Sequence, residues 1–593
     1  MLKQGADLRV DSDSAGPVSN LQRDCSFSIN RQHRRDWLCR AVLLLVCIVI
    51  WIPRFTGPIN FRWDASAYYI LGTALSQGHG YRLLNEPGEI EAVQYPPLLP
   101  MTVAALQLAL GTTDFFKVGC ALRLTYFVLS ALFLLMSYSL ARKLLSPTYA
   151  LIVGVMLAIS FSTMLEPSDV LYADLPFAVV SVAFLLCHQK SDRLIFAAVS
   201  GILAAAAYLF RTAGLALLVA WIAESLIKRR FRQATIRIAI TALAVLLWQA
   251  HVWRVTRSYE YQHPTYSYQR ADYYYPNVTY AANSRLIDPF RPDLGRTHLQ
   301  DFGGRLMRNI AAVPLGLGES TIVRAWFAPF LSTQLQQALR VPLSATWRKL
   351  ISGALKSGLF TAGLLALIGA VLVATGRQWF LSLYFGITIA TIVLTPWQNQ
   401  FWRYLAPVAP LTLIFLFLAL FAIRRWLRSQ HFKSAYTAGA MITTIFPAAL
   451  LLVQSAAAGH QFRSMGPVSY YDAAGRERVY KLLDYGSEWH ALDPAFEWIR
   501  RNGATGTVIA TTVPHLANLR TGHKAVLPPF ERNPDTANRL LDEVPVTYLV
   551  TDNFGQPGVS ERYAAPLVVE RPQDWRLVFT APDLETRVYE RTR

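Results

Sequence analysis

The chain has 593 residues, of which 53% are hydrophobic and only 16% are charged. A soluble domain carries about 25% charged residues, so this composition and the long apolar runs indicate a multi-span membrane protein. The formal net charge of +19 does not indicate a nucleic-acid partner, because no RNA- or DNA-binding motif accompanies it and much of it lies in short loops, where it sets membrane topology.

The N-terminal segment is polar. Residues 1–36 include six lysines or arginines, and the first apolar run starts only at Trp37. That start is late for a cleaved signal peptide. We therefore predict a disordered cytoplasmic tail over residues 1–36, followed by a retained membrane span.

Apolar runs that are long enough to cross a membrane recur from residue 37 to residue 458. A crossing helix needs about 17–25 residues, so the two shortest runs, 174–189 and 213–228, need help from flanking residues. The eleven predicted spans are 37–54, 120–141, 148–164, 174–189, 193–210, 213–228, 235–254, 355–375, 378–396, 404–425 and 436–457.

One further apolar run, 96–111, is ambiguous, and the distribution of basic residues decides how it is interpreted. If this run does not cross, the basic loops between the later spans all fall on the side of the basic N-terminus, as the positive-inside rule requires. We therefore predict a juxtamembrane or re-entrant helix there, entered through Pro96 and Pro97. The segments predicted to be external are 55–119, 165–173, 257–354, 397–403 and 459–593.

From Gly459 the composition becomes that of a soluble domain. Hydrophobic patterning predicts a helix over 495–500 after an Asp493-Pro494 start, and buried strands over 507–510 and 546–551. Residues 576–579 and 586–589 can form a closing hairpin. The predicted fold is thus mainly α, a polytopic helix bundle over residues 37–458 with a small external α/β domain over residues 459–593.

The candidate chemistry begins with Asp64, which follows the first apolar run and stands among Trp63, Tyr68 and Tyr69. A carboxylate at a membrane edge beside aromatic rings is a functional-site candidate. The alternative is that Asp64 is the N-cap of the helix that follows it.

A second acidic cluster, 166–174, lies in the next predicted external loop and ends with Asp174 at the start of a span. Asp174 is interpreted either as an N-cap favoured by the helix dipole or as a metal ligand or substrate-positioning acid that faces Asp64. Both interpretations can hold at once.

Three arginines, Arg123, Arg211 and Arg403, lie near the predicted external ends of spans. An arginine in the membrane is costly and normally needs an anionic partner. The alternative is that each side chain extends to the lipid headgroups. Three arginines and two acids on one face favour a phosphate site.

Short motifs in this order resemble a known family. The stretches 64–69 (Asp-Ala-Ser-Ala-Tyr-Tyr), 78–81 (Gly-His-Gly-Tyr) and 95–100 (Tyr-Pro-Pro-Leu-Leu-Pro) resemble the first external loop of GT-C glycosyltransferases. More narrowly, they resemble the branch with the protein O-mannosyltransferases and the bacterial aminoarabinose transferases of lipid A. Three further stretches of the chain look like later blocks of that branch, namely 171–176, 209–214 and 403–410. The resemblance therefore covers roughly residues 37–425. One departure is Tyr95, because the aminoarabinose transferases have a phosphate-binding lysine directly before the Pro-Pro pair.

The resemblance implies an inverting transfer of a sugar from a polyprenyl-phosphate donor to an acceptor hydroxyl on a glycan, lipid or protein, at the external face of the plasma membrane (the inner membrane in bacteria). Such a reaction needs a carboxylate to take the acceptor proton and cations to stabilise the leaving phosphate. We expect Asp64 to be the base and Asp174 to position substrate or to hold a divalent metal ion. The residues expected to bind substrate are Arg123, Arg211, Arg403, Tyr68, Tyr69, Tyr95, Arg82 and Asp169.

Two other classes of function compete with this interpretation. A lipid or glycan transporter or flippase often shows inverted repeats and polar sites near the membrane midplane; no repeat is evident here, and the acids cluster towards one face. A sugar-binding surface protein without catalysis is the third possibility. Convergence of Asp64, Asp174 and the arginines on one site would favour the transferase.

Overall fold

A computed structural model describes residues 17–429, 433–471, 476–555 and 558–592. The first helices are α1 (Pro17–Trp51), α2 (Asp64–Ser76), α3 (Leu98–Leu110), α4 (Phe115–Ala141), α5 (Pro147–Ile159), α6 (Glu166–Asp169), α7 (Asp174–His188), α8 (Leu194–Phe210), α9 (Leu215–Ile227) and α10 (Phe231–Thr256). They are followed by α11 (Tyr259–Gln262), α12 (Tyr280–Ser284), α13 (Leu299–Thr321), α14 (Ala328–Leu339), α15 (Ala345–Ala374), α16 (Trp379–Ile392), α17 (Phe401–Tyr404), α18 (Ala409–Ser429) and α19 (Lys433–Arg463).

The C-terminal domain contains the helices α20 (Ser487–Asn502), α21 (Pro514–Thr521), α22 (Pro534–Asp542) and α23 (Ala565–Glu570). Its strands are β1 (Pro467–Tyr471), β2 (Glu477–Lys481), β3 (Val508–Ala510), β4 (Lys524–Val526), β5 (Val546–Thr551), β6 (Trp575–Thr580) and β7 (Arg587–Arg591). The predicted fold class, a polytopic helix bundle with a small α/β domain, is confirmed.

The chain is a multi-pass membrane protein, because several of its helices are long and apolar. Six helical segments among the described residues are long and apolar enough to cross a membrane, and a bent pair that contains α5 would make a seventh. The other four predicted spans are also helical, but shorter: 174–188, 194–210, 212–227 and 379–392. The ambiguous run at 96–111 forms α3, a helix of 13 residues.

Two predictions about the first spans need correction. Residues 1–16 lie outside the described residues, but α1 begins at Pro17, so residues 17–36 continue the first helix instead of forming a disordered tail. The predicted straight span 148–164 is bent by 67° after Ile159. Ser160 adopts an extended backbone there, and its hydroxyl accepts a hydrogen bond from the Thr163 amide and donates one to the Ser320 carbonyl. These local bonds compete with a continuous helix.

The first long loop is tied to the acidic loop before α7. Asn60 donates its amide to the Asp169 carbonyl at 2.9 Å, and its own carbonyl accepts from the Leu171 amide at 3.1 Å. This short parallel bridge lies four residues before Asp64 and four residues before Asp174, respectively. Because both distances along the chain are short, the bridge holds the two aspartates near one another.

The C-terminal domain is built on a five-stranded sheet of order β4-β3-β5-β7-β6, beside the β1-β2 hairpin. The predicted strands at 507–510 and 546–551 correspond to β3 and β5, and the predicted closing hairpin corresponds to the antiparallel pair β6 and β7. The predicted helix start at Pro494 is wrong, since α20 begins at Ser487. The buried positions Trp489, Leu492, Phe496 and Ile499 continue one apolar face across the proline.

Candidate active site

Arg403 connects the two predicted carboxylates. Its Nε and Nη2 atoms lie 3.2 and 3.1 Å from Asp174 Oδ2, while Nη1 and Nη2 both lie 3.4 Å from Asp64 Oδ2. A planar guanidinium can contact two carboxylates in this way because its N–H groups form a rigid fork. Asp64 and Asp174 therefore belong to one cluster, although they are far apart in sequence.

Arg211 completes the cluster from the other side of Asp174. Its Nη1 forms an ion pair with Asp174 Oδ1, so both oxygens of this carboxylate contact an arginine. Arg211 is held in place by a tight turn, in which α8 ends, residues 212–214 make a single 3-10 turn and α9 begins. Gly214 permits this turn, because a Cβ there would lie 2.5 Å from the Ala207 carbonyl.

Tyr95 contacts the remaining oxygen of the Asp64 carboxylate. Its hydroxyl donates a hydrogen bond of 3.1 Å to Asp64 Oδ1, and its ring packs against Tyr68 with a centroid separation of 4.8 Å. Burial, reinforced by the nearby Asp64 charge, raises the pKa of Tyr95 well above its ordinary value. The phenol therefore keeps its proton and acts as a donor to the carboxylate. Tyr95 thus lies in the cluster, as a partner of Asp64.

The two arginines of the cluster lie on aromatic faces. The Arg403 guanidinium lies 3.9 Å from the Tyr172 ring centroid, and the Arg211 guanidinium lies 5.0 Å from that of Tyr404. Such cation–π contacts stabilise a charge that is removed from water. Neither tyrosine was predicted as a site residue. Two sequence signals could have found them: each lies within two residues of Asp174 or Arg403, and each falls inside a stretch, 171–176 or 403–410, that resembles the family.

Asp64 is the most accessible of the charged members. Its side chain is 27% exposed, compared with 18% for Arg211, 14% for Arg403 and 2% for Asp174. Asp64 is also the carboxylate with the longer, weaker contacts to Arg403. An incoming hydroxyl can therefore reach Asp64 more readily than Asp174.

The alternative that these aspartates are helix N-caps is wrong. The N-cap of α2 is Trp63, and the N-cap of α7 is Ala173, so each aspartate is the first residue inside its helix. Neither cap makes a side-chain hydrogen bond. The acids still lie in the first turn, where the helix dipole favours a negative charge.

Trp63 links the cluster to the C-terminal domain. Its backbone has φ of 51°, a positive value that a non-glycine residue rarely adopts. Its ring contacts Trp489 and Phe554 of the C-terminal domain, at centroid separations of 5.0 and 5.2 Å. The domain therefore packs directly against the residue that precedes Asp64.

Arg123 and Asp169 lie apart from this cluster. Asp169 Oδ1 accepts from Arg54 Nε at 3.2 Å and from Arg123 Nη2 at 3.3 Å, and its Oδ2 accepts from the Leu483 amide at 2.9 Å. Arg123 also donates to the Arg54 carbonyl. All three charged side chains are at most 1% exposed. These ion pairs and hydrogen bonds connect the first helices to the C-terminal domain. Arg123 and Asp169 are therefore not part of our proposal for substrate binding.

Tyr69 and Arg82 also have other partners. The Tyr69 hydroxyl donates to the Thr113 carbonyl at 2.8 Å. Arg82 forms ion pairs with Glu91 and Glu260, at 3.5 and 3.1 Å. The contacts of both residues connect loops, and neither side chain is hydrogen-bonded to the Asp64 cluster.

The Asp169 network predicts a large stability effect. Asp169→Asn keeps the side-chain shape but leaves two buried guanidinium groups without a counter-charge, which should cost about 3–5 kcal/mol in free energy of unfolding. Thermal unfolding of the purified protein in detergent measures this loss. Asp272→Asn is the control, because Asp272 pairs with the largely exposed Arg296 and should cost about 0–1 kcal/mol. Equal stability of the two variants would contradict the structural role.

The predicted divalent metal does not fit this arrangement. The Arg403 guanidinium already occupies the space between Asp64 and Asp174. Within the described ranges, no group of three His, Cys, Asp or Glu side chains comes together in a way that could hold a metal ion. We therefore derive no chemical step through a metal.

Comparison with known proteins identifies the fold. No protein-family model and no curated protein sequence matches the chain. Among solved structures, an oligosaccharyltransferase from Archaeoglobus fulgidus, tethered to an acceptor peptide with the NVT sequon, aligns with a TM-score of 0.50 at 14% identity, covering 94% of this chain and 74% of that one.

Two further structures align less closely. The oligosaccharyltransferase AglB from Archaeoglobus fulgidus, in complex with an inhibitory peptide and a dolichol-phosphate, gives a TM-score of 0.48 at 13% identity, covering 94% of this chain and 74% of that one. ArnT from Cupriavidus metallidurans, bound to undecaprenyl phosphate, gives 0.40 at 12% identity, covering 93% and 97%. Both kinds of enzyme are GT-C glycosyltransferases. The alignment at a TM-score of 0.50 establishes the fold alone, and this is the GT-C fold that the resemblance of the sequence motifs implies.

Proposed function

We propose that this protein is a membrane glycosyltransferase that moves a sugar from a polyprenyl-phosphate donor to an acceptor hydroxyl. The observation that carries the proposal is the cluster of Asp64, Asp174, Arg211 and Arg403, in which one carboxylate remains accessible beside two arginines. A base and cations for a leaving phosphate are the groups that this reaction needs. The GT-C fold supports the same class of reaction.

In the proposed step, the acceptor oxygen attacks the anomeric carbon while Asp64 takes the hydroxyl proton. The bond from the anomeric carbon to the phosphate oxygen breaks, and the electron pair leaves with the polyprenyl phosphate. A single displacement of this kind inverts the anomeric centre. Asp64 is suited to the role of base because it is the exposed carboxylate of the cluster and Tyr95 fixes its orientation.

Arg211 is our candidate for the phosphate contact. Only its Nη1 is engaged by Asp174, and within the described residues no hydrogen bond occupies its Nε or Nη2. These N–H groups can donate hydrogen bonds to the oxygens of the leaving phosphate and so stabilise the charge that develops there, and charge-assisted bonds of this kind are the stronger ones. Arg403 uses all three of its nitrogens on the carboxylates, so we assign it mainly to positioning.

Asp174 is proposed to position the two arginines. It is almost fully buried and bonded to both, so it cannot accept a proton from an acceptor without losing these ion pairs. A buried carboxylate between two guanidinium groups keeps their geometry fixed before substrate arrives. Pre-organised charge of this kind lowers a barrier without further rearrangement.

A direct assay tests the proposal. The full-length protein in sealed proteoliposomes is incubated with a panel of polyprenyl-phosphate sugars and with membrane extracts as acceptors, and released polyprenyl phosphate is measured. We expect release from at least one donor that depends on acceptor and on Asp64, and a parallel arm with a chelator tests the metal. Movement of a lipid-linked sugar across a bilayer without release of polyprenyl phosphate would contradict the transferase and indicate a flippase.

A further inference from the structure

A polar cavity of about 270 Å³ lies at the end of the helix bundle opposite the Asp64 cluster. The helix α7 begins with Asp174 and ends with His188, which lines this cavity. A helix of 15 residues is about 22 Å long, so the cavity is separate from the Asp64 cluster. Neither the motifs in the sequence nor the proposed reaction uses it.

The inner wall of the cavity is built around one buried carboxylate, Glu224. Its oxygens lie 2.7 Å from His188 Nε2, 2.7 Å from Lys228 Nζ and 2.8 Å from Arg237 Nη1. One negative charge therefore faces two permanent positive charges and a histidine. The wall retains a positive character even though it contains an acid.

Three polar atoms of the cavity residues lack a partner. His188 Nδ1, Gln189 Nε2 and Ser225 Oγ are buried, and none of them has a hydrogen-bond partner within the part of the chain that the structure describes. His188 is only 6% exposed. Buried polar groups are normally hydrogen-bonded, so these three atoms indicate that a polar ligand completes the wall.

The rim of the cavity adds two further cations. Arg230 and Arg377 line it and are exposed, and no ion pair involves either of them among the described residues. Asp192 is the one exposed acid on the rim. Two unpaired guanidinium groups beside unsatisfied polar atoms are suited to a phosphate, whose oxygens accept several charge-assisted hydrogen bonds.

The surface beside the rim is apolar. Leu194, Leu226, Ile227 and Phe231 stand at the ends of the helices that form the cavity, and between 47% and 86% of each side chain is exposed. Exposed apolar side chains on a membrane helix face lipid tails. A molecule with a phosphate in the cavity and tails on this surface would match both environments.

We propose that this cavity binds a phosphate group and that its occupant is the headgroup of an anionic phospholipid, with the acyl chains on the neighbouring apolar surface. Ligand pockets generally measure about 300–1,000 Å³, so a smaller cavity accommodates a headgroup better than a whole lipid. The site lies at the bundle end where short basic loops connect the spans, and such loops attract anionic lipids.

Native mass spectrometry of the full-length protein in detergent tests this proposal, with added phosphatidylglycerol or phosphatidylcholine. We expect selective binding of phosphatidylglycerol. The double variant Arg230→Gln/Arg377→Gln should weaken it by about tenfold or more; both side chains are exposed, so folding should survive. The matched control is Arg232→Gln/Arg425→Gln, which removes two exposed arginines that do not line the cavity, and binding should remain at the wild-type level.

Inorganic phosphate distinguishes a lipid headgroup from a soluble phosphate as the occupant of the cavity. In one outcome, inorganic phosphate stabilises the wild type against heat but not the cavity variant, while phosphatidylglycerol does not bind selectively. That result would show that the cavity binds a soluble phosphate, and it would overturn the assignment to a phospholipid. Equal weakening of lipid binding in the cavity and control variants would overturn the proposal, because it would show general surface attraction. Absence of any selective effect of lipid or phosphate on the wild type would also overturn it.

Discussion

Asp64→Asn should lower turnover by about 10²–10⁴-fold while leaving donor affinity nearly unchanged. The substitution keeps the size of the side chain and its contact with the Tyr95 hydroxyl, but the amide cannot take a proton from the acceptor. Single-turnover kinetics with the donor identified in the panel, together with equilibrium donor binding, separate the chemical step from binding. Near-normal turnover would end the assignment of Asp64 as the base.

The matched control is Glu89→Gln. Glu89 lies between α2 and α3, in the same predicted external segment as Asp64, and its side chain is 40% exposed. Within the described residues its ion-pair partner is Lys524. The control removes the same charge from the first loop without touching the cluster, so turnover should stay within about twofold, because exposed ion pairs contribute little. Thermal unfolding of both variants checks that a loss of activity in Asp64→Asn is not a loss of fold.

The sequence predicts the helices well because each apolar run has to satisfy its backbone hydrogen bonds internally. Each of the eleven predicted runs is mainly helical in the structure, although 148–164 is interrupted at Ser160. The bend at Ser160 could not be predicted, since it depends on a hydrogen bond to Ser320, which is distant in the chain. The sequence does not predict the start of α20 at Ser487, because a proline is typical of the first turn of a helix and Pro494 therefore indicates a later start. In the structure the buried face of the helix continues across Pro494.

The charged residues show the limit of sequence reasoning more clearly. Asp64, Asp174, Arg211 and Arg403 come together, whereas Asp169 and Arg123 form a separate buried network with Arg54. In the sequence, all of these residues are polar groups near the ends of apolar runs. Only the three-dimensional structure shows which arginine pairs with which acid. It thereby separates the residues of the candidate site from those that hold the first helices and the C-terminal domain together.

Arg403→Lys should lower turnover by about 10²-fold, the loss that a misplacement of about 1 Å can cause. A lysine keeps the positive charge, but its single ammonium cannot contact Asp64 and Asp174 with the separate nitrogens that the guanidinium uses. It also loses the flat contact with the Tyr172 ring. Arg305→Lys is the control, because Arg305 lies on α13 and makes no ion pair in the described part of the chain.

Comparing donor binding with turnover distinguishes positioning by Arg403 from phosphate binding by Arg211. Arg211→Lys should mainly weaken donor binding, because an ammonium group does not replace the N–H groups that the guanidinium offers to a phosphate. Arg403→Lys should mainly lower turnover, because the two carboxylates lose the side chain that contacts both of them. Normal turnover in Arg403→Lys would show that this arginine does not organise the two carboxylates.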